Sequence, residues 1–360
     1  MSFSKKFSRA TLFCALAGVA ALIFGCSGQR GAGGDVRLQG AGATFPNPLY
    51  QKWLSEYTKL NPNVRIDYQS IGSGGGIKQI KDGIIDFGAS DAPMSDEDLK
   101  AAPGEILHIP TVLGAVVLTY NLQGVSQPLH FSPDVIANIF LGKIKKWDDP
   151  RIKADNNGAG LPSSDITVVH RSDGSGTSAI FTDYLSKVSA EWKEKVGKGT
   201  SPNWPVGLGG KGNEGVTGTV KQTPNAIGYV ELAYAVKNGL PVALIKNKSG
   251  NFAEASLDAV TAAASESIQT TPEDLRVSIT DASGANAYPI ASYTYILAYR
   301  EQKDAAKGKA LVDFLWWGIH DGEKYAKEKD LNYAPLPAEI VKRAEAKINS
   351  ITSGGKALRQ

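Results

Sequence analysis

The chain has 360 residues, with 39 lysines and arginines, 36 aspartates and glutamates, four histidines and two cysteines. Three of the basic residues and none of the acidic ones lie in the first 25 positions, so the rest of the chain is electrically balanced. A balanced body lacks the basic face expected of a nucleic-acid-binding protein, and the scattered histidines lack the spacing of a metal site. The remaining length can bury two sizeable cores, so we expect two domains.

The N-terminus has the pattern of an export signal. Three basic residues precede an apolar run over 10–25, which is too short to span a membrane comfortably. We therefore expect residues 1–25 to be a signal peptide that is removed. This places the mature protein in the periplasm or at the cell surface.

The predicted signal ends in Ile-Phe-Gly-Cys at 23–26, which resembles the lipobox of bacterial lipoprotein signals. Phe24 departs from the small residue usual at its position, and ordinary secretory cleavage nearby is the alternative. We expect Cys26 to be lipidated, with 26–35 as a flexible tether to the membrane. The other cysteine, Cys14, lies within the signal, so no disulfide is expected in the mature protein.

A strand–turn–helix unit follows the tether. Residues 36–38 alternate like a strand, and 40–45 form a turn of small residues that includes Thr44. Pro46 or Pro48 suits the start of a helix.

A second unit of the same plan comes next. Residues 64–68 alternate like a strand, and 72–76 form a glycine-rich turn with Ser73 near its tip. A short helix then begins at Ile77 and is stopped by a glycine at 83. A single turn of this kind is most often only a tight connection.

A third strand, 84–93, runs into a turn that carries Asp91. A carboxylate beside an anion site is useful if the anion carries a proton, because Asp91 can accept a hydrogen bond from a P–OH group. The alternative is an aspartate that only shapes the turn.

The middle and C-terminal parts continue the alternation of strands and helices. Residues 106–120 indicate two buried strands separated by Pro110, and we expect the chain to cross between domains here. Further predictions are a surface turn at 140–150, a glycine-rich loop at 204–216, a strand leading into a helix at 227–235, a mostly helical segment at 251–272, an aromatic strand at 293–299 and one amphipathic helix at 310–325, with Trp316 and Trp317 in core and rim packing.

The most informative stretch is 166–185. A β-branched strand ends in a polar, glycine-rich turn, and apolar residues on one helical face follow. Such a turn exposes unpaired N–H groups at the positive end of a helix dipole. Ser175 and Thr177 add hydroxyl donors, and Arg171 adds a positive charge. The pattern predicts a site for a small oxyanion.

Several enzyme classes fit this turn poorly. The match to G-x-G-x-x-A at 174–179 lacks the acid at the end of a second strand that a dinucleotide site requires. A P-loop needs Gly-Lys-Ser/Thr, which is absent, and Ser175 lacks the flanking glycines of a hydrolase elbow. Strands alternating with helices give an α/β class, and three anion-type turns indicate a crevice between two lobes.

The motifs together resemble one family, the periplasmic phosphate-binding proteins of ABC phosphate importers. The resemblance extends from about Gly40 to Pro337. The segments that carry it are GAGATFPNPLYQKW, IGSGGGIKQI, DFGASDAP, FLGKIKKWDDP, HRSDGSGTSAIFTDYL, WPVGLGGKGNEGV, AIGYVELAYA and LNYAPLP.

The resemblance implies a type II periplasmic-binding-protein fold with a two-stranded hinge and the ligand in the cleft between the lobes. Lobe 1 would comprise 36–110 plus 287–360, and lobe 2 would comprise 111–286. A monomer without cofactor, metal or catalytic residues is implied. Its partners would be phosphate, the permease subunits with their cytoplasmic ATPase, and a membrane reached through the lipid.

The resemblance also implies the ligand-binding residues: Thr44, Phe45 through its backbone N–H, Ser73, Asp91, Arg171, Ser175, Gly176 through its backbone, and Thr177. Asp173 would hold the Arg171 guanidinium, although it also suits the N-terminal end of a helix as a plain acidic residue. Gly74 departs from relatives that carry a second serine there.

Three functional hypotheses remain open from the sequence. The first is a transport binding protein whose Asp91 accepts the phosphate proton and rejects sulfate. The second is a secreted phosphate-ester hydrolase that uses Ser175. The third keeps the fold but changes the oxyanion.

Overall fold

The computed structural model describes residues 35–125 and 127–359. The predicted signal peptide, the expected lipidation site Cys26 and residues 26–34 of the tether lie outside this range. The strands are β1 (Val36–Gly42), β2 (Val64–Ser70), β3 (Phe87–Ser90), β4 (Ile106–Asn121), β5 (His130–Phe131), β6 (Thr167–Arg171), β7 (Leu208–Gly210), β8 (Ala226–Glu231), β9 (Leu244–Lys246), β10 (Phe252–Ala253), β11 (Ala291–Tyr299), β12 (Thr352–Ser353) and β13 (Lys356–Ala357).

Helices alternate with these strands. They are α1 (Asn47–Leu60), α2 (Ser73–Lys81), α3 (Asp96–Ala101), α4 (Pro133–Phe140), α5 (Pro150–Asp155), α6 (Gly176–Val188), α7 (Ala190–Lys195), α8 (Gly212–Gln222), α9 (Leu232–Lys237), α10 (Leu257–Ser267), α11 (Ala305–Ile319), α12 (Glu323–Ala326) and α13 (Ala338–Asn349). The α/β class predicted from the sequence is confirmed.

The main sheet has eight strands in the order β2-β1-β3-β11-β4-β8-β6-β7. Strand β4 belongs to two sections of it. The first section contains β2, β1, β3, β11 and residues 106–115 of β4; the second contains residues 116–121 of β4 with β8, β6 and β7. The ends of β1, β3 and β6, where the predicted site residues lie, are therefore set by one continuous framework.

The prediction of two strands around Pro110 was wrong, because β4 runs without a break through this proline. The pairing with β11 shifts register at that point: Val112 pairs with Thr294, Pro110 pairs with Tyr295, and Thr111 is left over as a bulge. A bulge is one of the few places where a sheet tolerates proline, which has no N–H for the ladder.

Each section has its own aromatic core. In the first, α1 and α11 pack through Trp53, Tyr57, Phe314 and Trp317, with ring centroids 5.2–6.4 Å apart. In the second, Phe140, Phe181, Trp204 and Tyr229 pack on one another with centroids 4.4–6.1 Å apart. Both clusters hold helices against the sheet, so the sections are stable platforms for the loops at their edges.

Three further predictions need correction. The turn at 72–76 is mostly helical, because Gly72, with φ +88°, makes the turn alone and α2 begins at Ser73. The loop at 204–216 contains β7 and the start of α8. The helix at 310–325 is two helices, since the chain leaves helical geometry at His320.

One other expectation agrees with the structure. The strand leading into a helix at 227–235 is confirmed as β8 and α9. Among residues 35–125 and 127–359, none of the helices combines the length and apolarity that a membrane crossing requires. In the same part of the chain, no three His, Cys, Asp or Glu side chains are grouped as a metal site.

Candidate anion-binding site

The loop after β1 contributes Thr44 and Phe45, which are 2% and 0% exposed. Two tyrosine hydroxyls fix its backbone. Tyr234 donates to the Thr44 carbonyl at 2.5 Å, and Tyr333 donates to the Phe45 carbonyl at 2.6 Å. Within the described residues the Phe45 N–H has no acceptor, so it remains available to donate to a bound anion.

Ser73 and Asp91 form the second part of the site, at the start of α2 and just after β3. Both are buried. The Ser73 Oγ accepts from the Asp91 N–H at 3.3 Å and lies 3.4 Å from its Oδ2. The Thr294 hydroxyl, from β11, donates to Asp91 Oδ1 at 2.8 Å.

Arg171 ends β6 and is 2% exposed. Its Nε and Nη2 donate to the two carboxylate oxygens of Asp173 at 2.8 and 2.6 Å. The Gly212 N–H donates to the same carboxylate at 3.0 Å. Burial acts to raise the pKa of Asp173, but the bonds and charge of Arg171 outweigh it and lower the pKa. The carboxylate therefore stays ionised and holds the guanidinium plane in place.

The N-terminus of α6 contributes Ser175, Gly176 and Thr177. The Ser175 Oγ caps the helix by accepting from the Ser178 N–H at 3.0 Å. The N–H groups of Gly176 and Thr177 precede the first helical hydrogen bond and have no partner within the helix. Thr177 Oγ1 accepts from Arg171 Nη1 at 3.3 Å.

Gly176 joins the two sections of the sheet at the site. A Cβ atom at this position would lie 2.4 Å from both Asp91 Oδ2 and Ser73 Oγ. The start of α6 thus packs directly against residues that follow β2 and β3. Only a residue without a side chain fits at this distance.

Gly74 makes a similar approach nearby. Its N–H donates to the Gly174 carbonyl at 2.9 Å, and a Cβ on Gly74 would lie 3.1 Å from the Gly174 Cα. The departure from a serine at Gly74 thus accompanies a backbone-to-backbone contact between the sections.

The structure brings the predicted residues together in one connected set. Two residues that sequence reasoning missed complete it. Thr294 donates to Asp91, and Asn213 of α8 donates to both Thr44 and Thr177. Asn213 lies in WPVGLGGKGNEGV, where the glycine pattern predicted a loop and gave no signal for a functional amide.

In the part of the chain that the structure describes, Ser175 has none of the partners of a nucleophile. Within residues 35–125 and 127–359, the one hydrogen bond to its hydroxyl oxygen comes from the Ser178 N–H of its own helix. A nucleophilic serine needs a base within hydrogen-bond reach.

The electrostatics of Asp91 are unusual. Burial raises its pKa to about 7, although the Thr294 hydroxyl, the charge of Arg171 and the Ser73 hydroxyl act in the opposite direction. The folded chain therefore keeps a proton on Asp91 between about pH 4 and pH 7, where the unfolded chain has released it.

The proton held by Asp91 in the folded state predicts that folding stability depends on pH. Because the unfolded state binds fewer protons at Asp91 in this range, the contribution of Asp91 to folding stability falls as pH rises from about 4 to 7. Above about pH 7 the folded state bears the full free-energy cost of a buried, charged carboxylate. In phosphate-free buffer, Asp91→Asn should gain roughly 2–3 kcal/mol more in unfolding free energy at pH 8 than at pH 5. Denaturant titrations at the two pH values measure this.

Asp183→Asn is the control. Burial opposes but does not prevent a lowered pKa for Asp183, which accepts hydrogen bonds from Ser278 and Thr280. Asp183 is therefore ionised at both pH values, and its replacement should change stability equally at each. An equal change for Asp91→Asn would show that Asp91 titrates normally.

Comparison with known proteins assigns the chain to a family. Residues 28–316 match a family model described as a PBP superfamily domain. A phosphate-binding protein PstS from Xylella fastidiosa is 47% identical over 314 residues, covering 87% of this chain and 85% of that protein. The chain belongs to the PstS family of phosphate-binding proteins.

Other members and structures agree. The PstS protein of Pasteurella multocida is 45% identical over 326 residues, covering 90% of this chain and 93% of that one. The crystal structure of a phosphate-binding protein from Stenotrophomonas maltophilia, at 20% identity, has a TM-score of 0.65 and covers 86% of this chain and 93% of that one. The predicted periplasmic-binding-protein fold is confirmed. The PstS relatives are binding proteins rather than enzymes, the class predicted from the sequence.

Proposed function

We propose that the chain binds inorganic phosphate outside the inner membrane and delivers it to an ABC importer. The observation that carries this proposal is one connected set of buried polar groups from both sections. Arg171 donates to Thr177, Asn213 donates to both Thr177 and Thr44, and the start of α6 packs against Asp91. The guanidinium, the two threonine hydroxyls and the N–H groups at the start of α6 can all donate to a bound anion beside the Asp91 carboxylate. Charge-assisted hydrogen bonds contribute roughly 1.5–3 kcal/mol each, so several together support sub-micromolar binding after association costs.

Asp91 gives the site its selectivity. Phosphate near neutral pH carries a proton that the carboxylate accepts, whereas sulfate has none to offer. A buried carboxylate facing a bare anion would have no compensating hydrogen bond. Neutral donors come from the backbone N–H or hydroxyl groups of the other ligand-binding positions, which are Phe45, Ser73, Ser175 and Gly176.

The two sections of the sheet are the basis of two lobes, with the bounds 36–110 plus 287–360 and 111–286. Residues 111–115 of β4 are the exception, because they pair with β11 in the first section. Strand β4 and the start of β11 form the hinge between the two lobes. Closing the cleft brings Gly176 against Asp91 and Ser73, and the closed form is what the permease recognises. Small-angle scattering should show compaction when phosphate is added to the purified protein.

Gly176→Ala should prevent this closure. The added methyl group would lie 2.4 Å from Asp91 Oδ2 and Ser73 Oγ, so the lobes must stay apart. We expect at least a 100-fold loss of phosphate affinity and no compaction. Gly218→Ala is the matched control, since a Cβ on Gly218 of α8 meets nothing within 4 Å. Compaction of Gly176→Ala to the parental radius would contradict this account of closure.

The remaining parts of the proposal concern location. The mature protein is exported and is anchored to a membrane through lipid on Cys26. It acts as a monomer without a cofactor and meets the permease subunits, whose ATPase lies in the cytoplasm. Mass spectrometry of the mature N-terminus tests the anchor, since ordinary cleavage would leave an unmodified chain.

Phosphate titration calorimetry of the mature protein tests the proposed function most directly. We expect one site per chain and an affinity at or below the micromolar range. Incubation with a chromogenic phosphate ester separates binding from hydrolysis. Release of the chromophore at a rate that depends on Ser175 would contradict a binding function.

A further inference from the structure

The amide of Asn213 has a fixed orientation. Asn213 lies in the first turn of α8 and is 0% exposed. Its Oδ1 accepts from the Glu231 backbone N–H at 3.0 Å. A backbone N–H can only donate, so the amide oxygen must face Glu231 and the Nδ2 group must face the other way.

The two hydrogens of Nδ2 are directed at two threonines. Nδ2 lies 2.8 Å from Thr44 Oγ1 and 3.1 Å from Thr177 Oγ1. An amide nitrogen has two hydrogens and accepts none, so each threonine oxygen receives one hydrogen bond from Asn213.

Each threonine oxygen accepts a second hydrogen bond as well. Thr44 Oγ1 accepts from the Asn213 backbone N–H at 3.2 Å, and Thr177 Oγ1 accepts from Arg171 Nη1 at 3.3 Å. A hydroxyl has two lone pairs and one hydrogen, so both acceptor positions are filled. In the part of the chain that the structure describes, neither hydroxyl donates to a protein acceptor.

We propose that Asn213 is a positioning residue that makes Thr44 and Thr177 donors only, each with its hydrogen turned toward the bound anion. The inference rests on the proposed phosphate site. It implies that ionised oxygens bind at these two positions and that the protonated oxygen is directed to Asp91. Thr44 and Asn213 belong to different lobes, so the Thr44 hydroxyl is oriented only when the cleft closes.

Double-mutant cycles test the proposal through phosphate affinity measured by calorimetry. Asn213→Ala should weaken phosphate binding by about 10-fold or more in the parent, since two donors lose their orientation. When Asn213→Ala is made in the Thr44→Val or the Thr177→Val variant, the loss of phosphate affinity that it causes should be at least about threefold smaller than in the parent. The reason is that one of the two hydroxyls is already absent. If Asn213 only supported the fold, its replacement would reduce phosphate affinity by the same factor in the parent, in Thr44→Val and in Thr177→Val. That result would overturn the proposal.

Asn213→Asp provides a second test that does not depend on the stability of the alanine variant. The carboxylate preserves the shape and the acceptor for Glu231, but it would accept from both threonine hydroxyls and turn them away from the anion. We expect a loss at least as large as for Asn213→Ala, with unchanged far-UV circular dichroism. Full affinity in Asn213→Asp would also overturn the proposal. Parent protein that fails to bind phosphate would instead refute the proposed function before any variant is compared.

Discussion

Arg171→Ala should lose phosphate affinity by about 100- to 10,000-fold, because one or two charge-assisted hydrogen bonds disappear from a buried site. Arg171 is 2% exposed, and its guanidinium is held by two hydrogen bonds to Asp173. Its removal also leaves Asp173 without its counter-charge beside the anion. Calorimetry with phosphate measures the loss.

Arg151→Ala is a matched control for this change. Arg151 also donates through Nε and Nη2 to an aspartate two positions away, Asp149, with both distances 3.0 Å. Its side chain is 43% exposed on α5, away from the cleft. Unchanged affinity in Arg151→Ala together with a large loss in Arg171→Ala would assign the effect to the site. Equal affinities for both variants would remove Arg171 from it.

Asp91→Asn should narrow the difference between phosphate and sulfate affinity by roughly 10- to 100-fold. The asparagine can donate to a bare oxygen, so the penalty of about 1–3 kcal/mol for an unpaired buried group no longer falls on sulfate. Phosphate binding should weaken at the same time, because the acceptor of its proton is lost. Competition titrations with both anions at pH 7 give the ratio.

Asp183→Asn serves again as the comparison. Asp183 lines the same cleft but accepts from Ser278 and Thr280 instead of facing the donors of the site. Its replacement should leave the ratio unchanged. An unaltered ratio in Asp91→Asn would mean that sulfate is excluded by something other than the carboxylate.

The sequence was most informative where function depends on local backbone geometry. The stretch 166–185 predicted a strand, a donor-rich turn and a helix, and the structure has β6, the cap at Ser175 and α6 in that order. These features depend on residues close together in sequence. The same reasoning found Asp91 as an acid at the end of a strand.

What the sequence did not predict depends on contacts between distant segments. Asn213 bonds to Thr44, 169 positions away, and Thr294 bonds to Asp91, 203 positions away. No local pattern marks such partners. The unbroken β4 was missed for a similar reason, since the bulge that accommodates Pro110 is formed with β11 and is invisible from residues 106–120 alone.

The position of β11 inside the sheet has a consequence for how the chain is made. This strand lies between β3 and β4, yet the ribosome synthesises it after the whole second section. Until Tyr299 has emerged, β3 and β4 have open edges with no neighbour to fill the gap. Nascent chains that stop before Ala291 should therefore remain protease-sensitive and prone to aggregate, and native folding should follow the completion of translation.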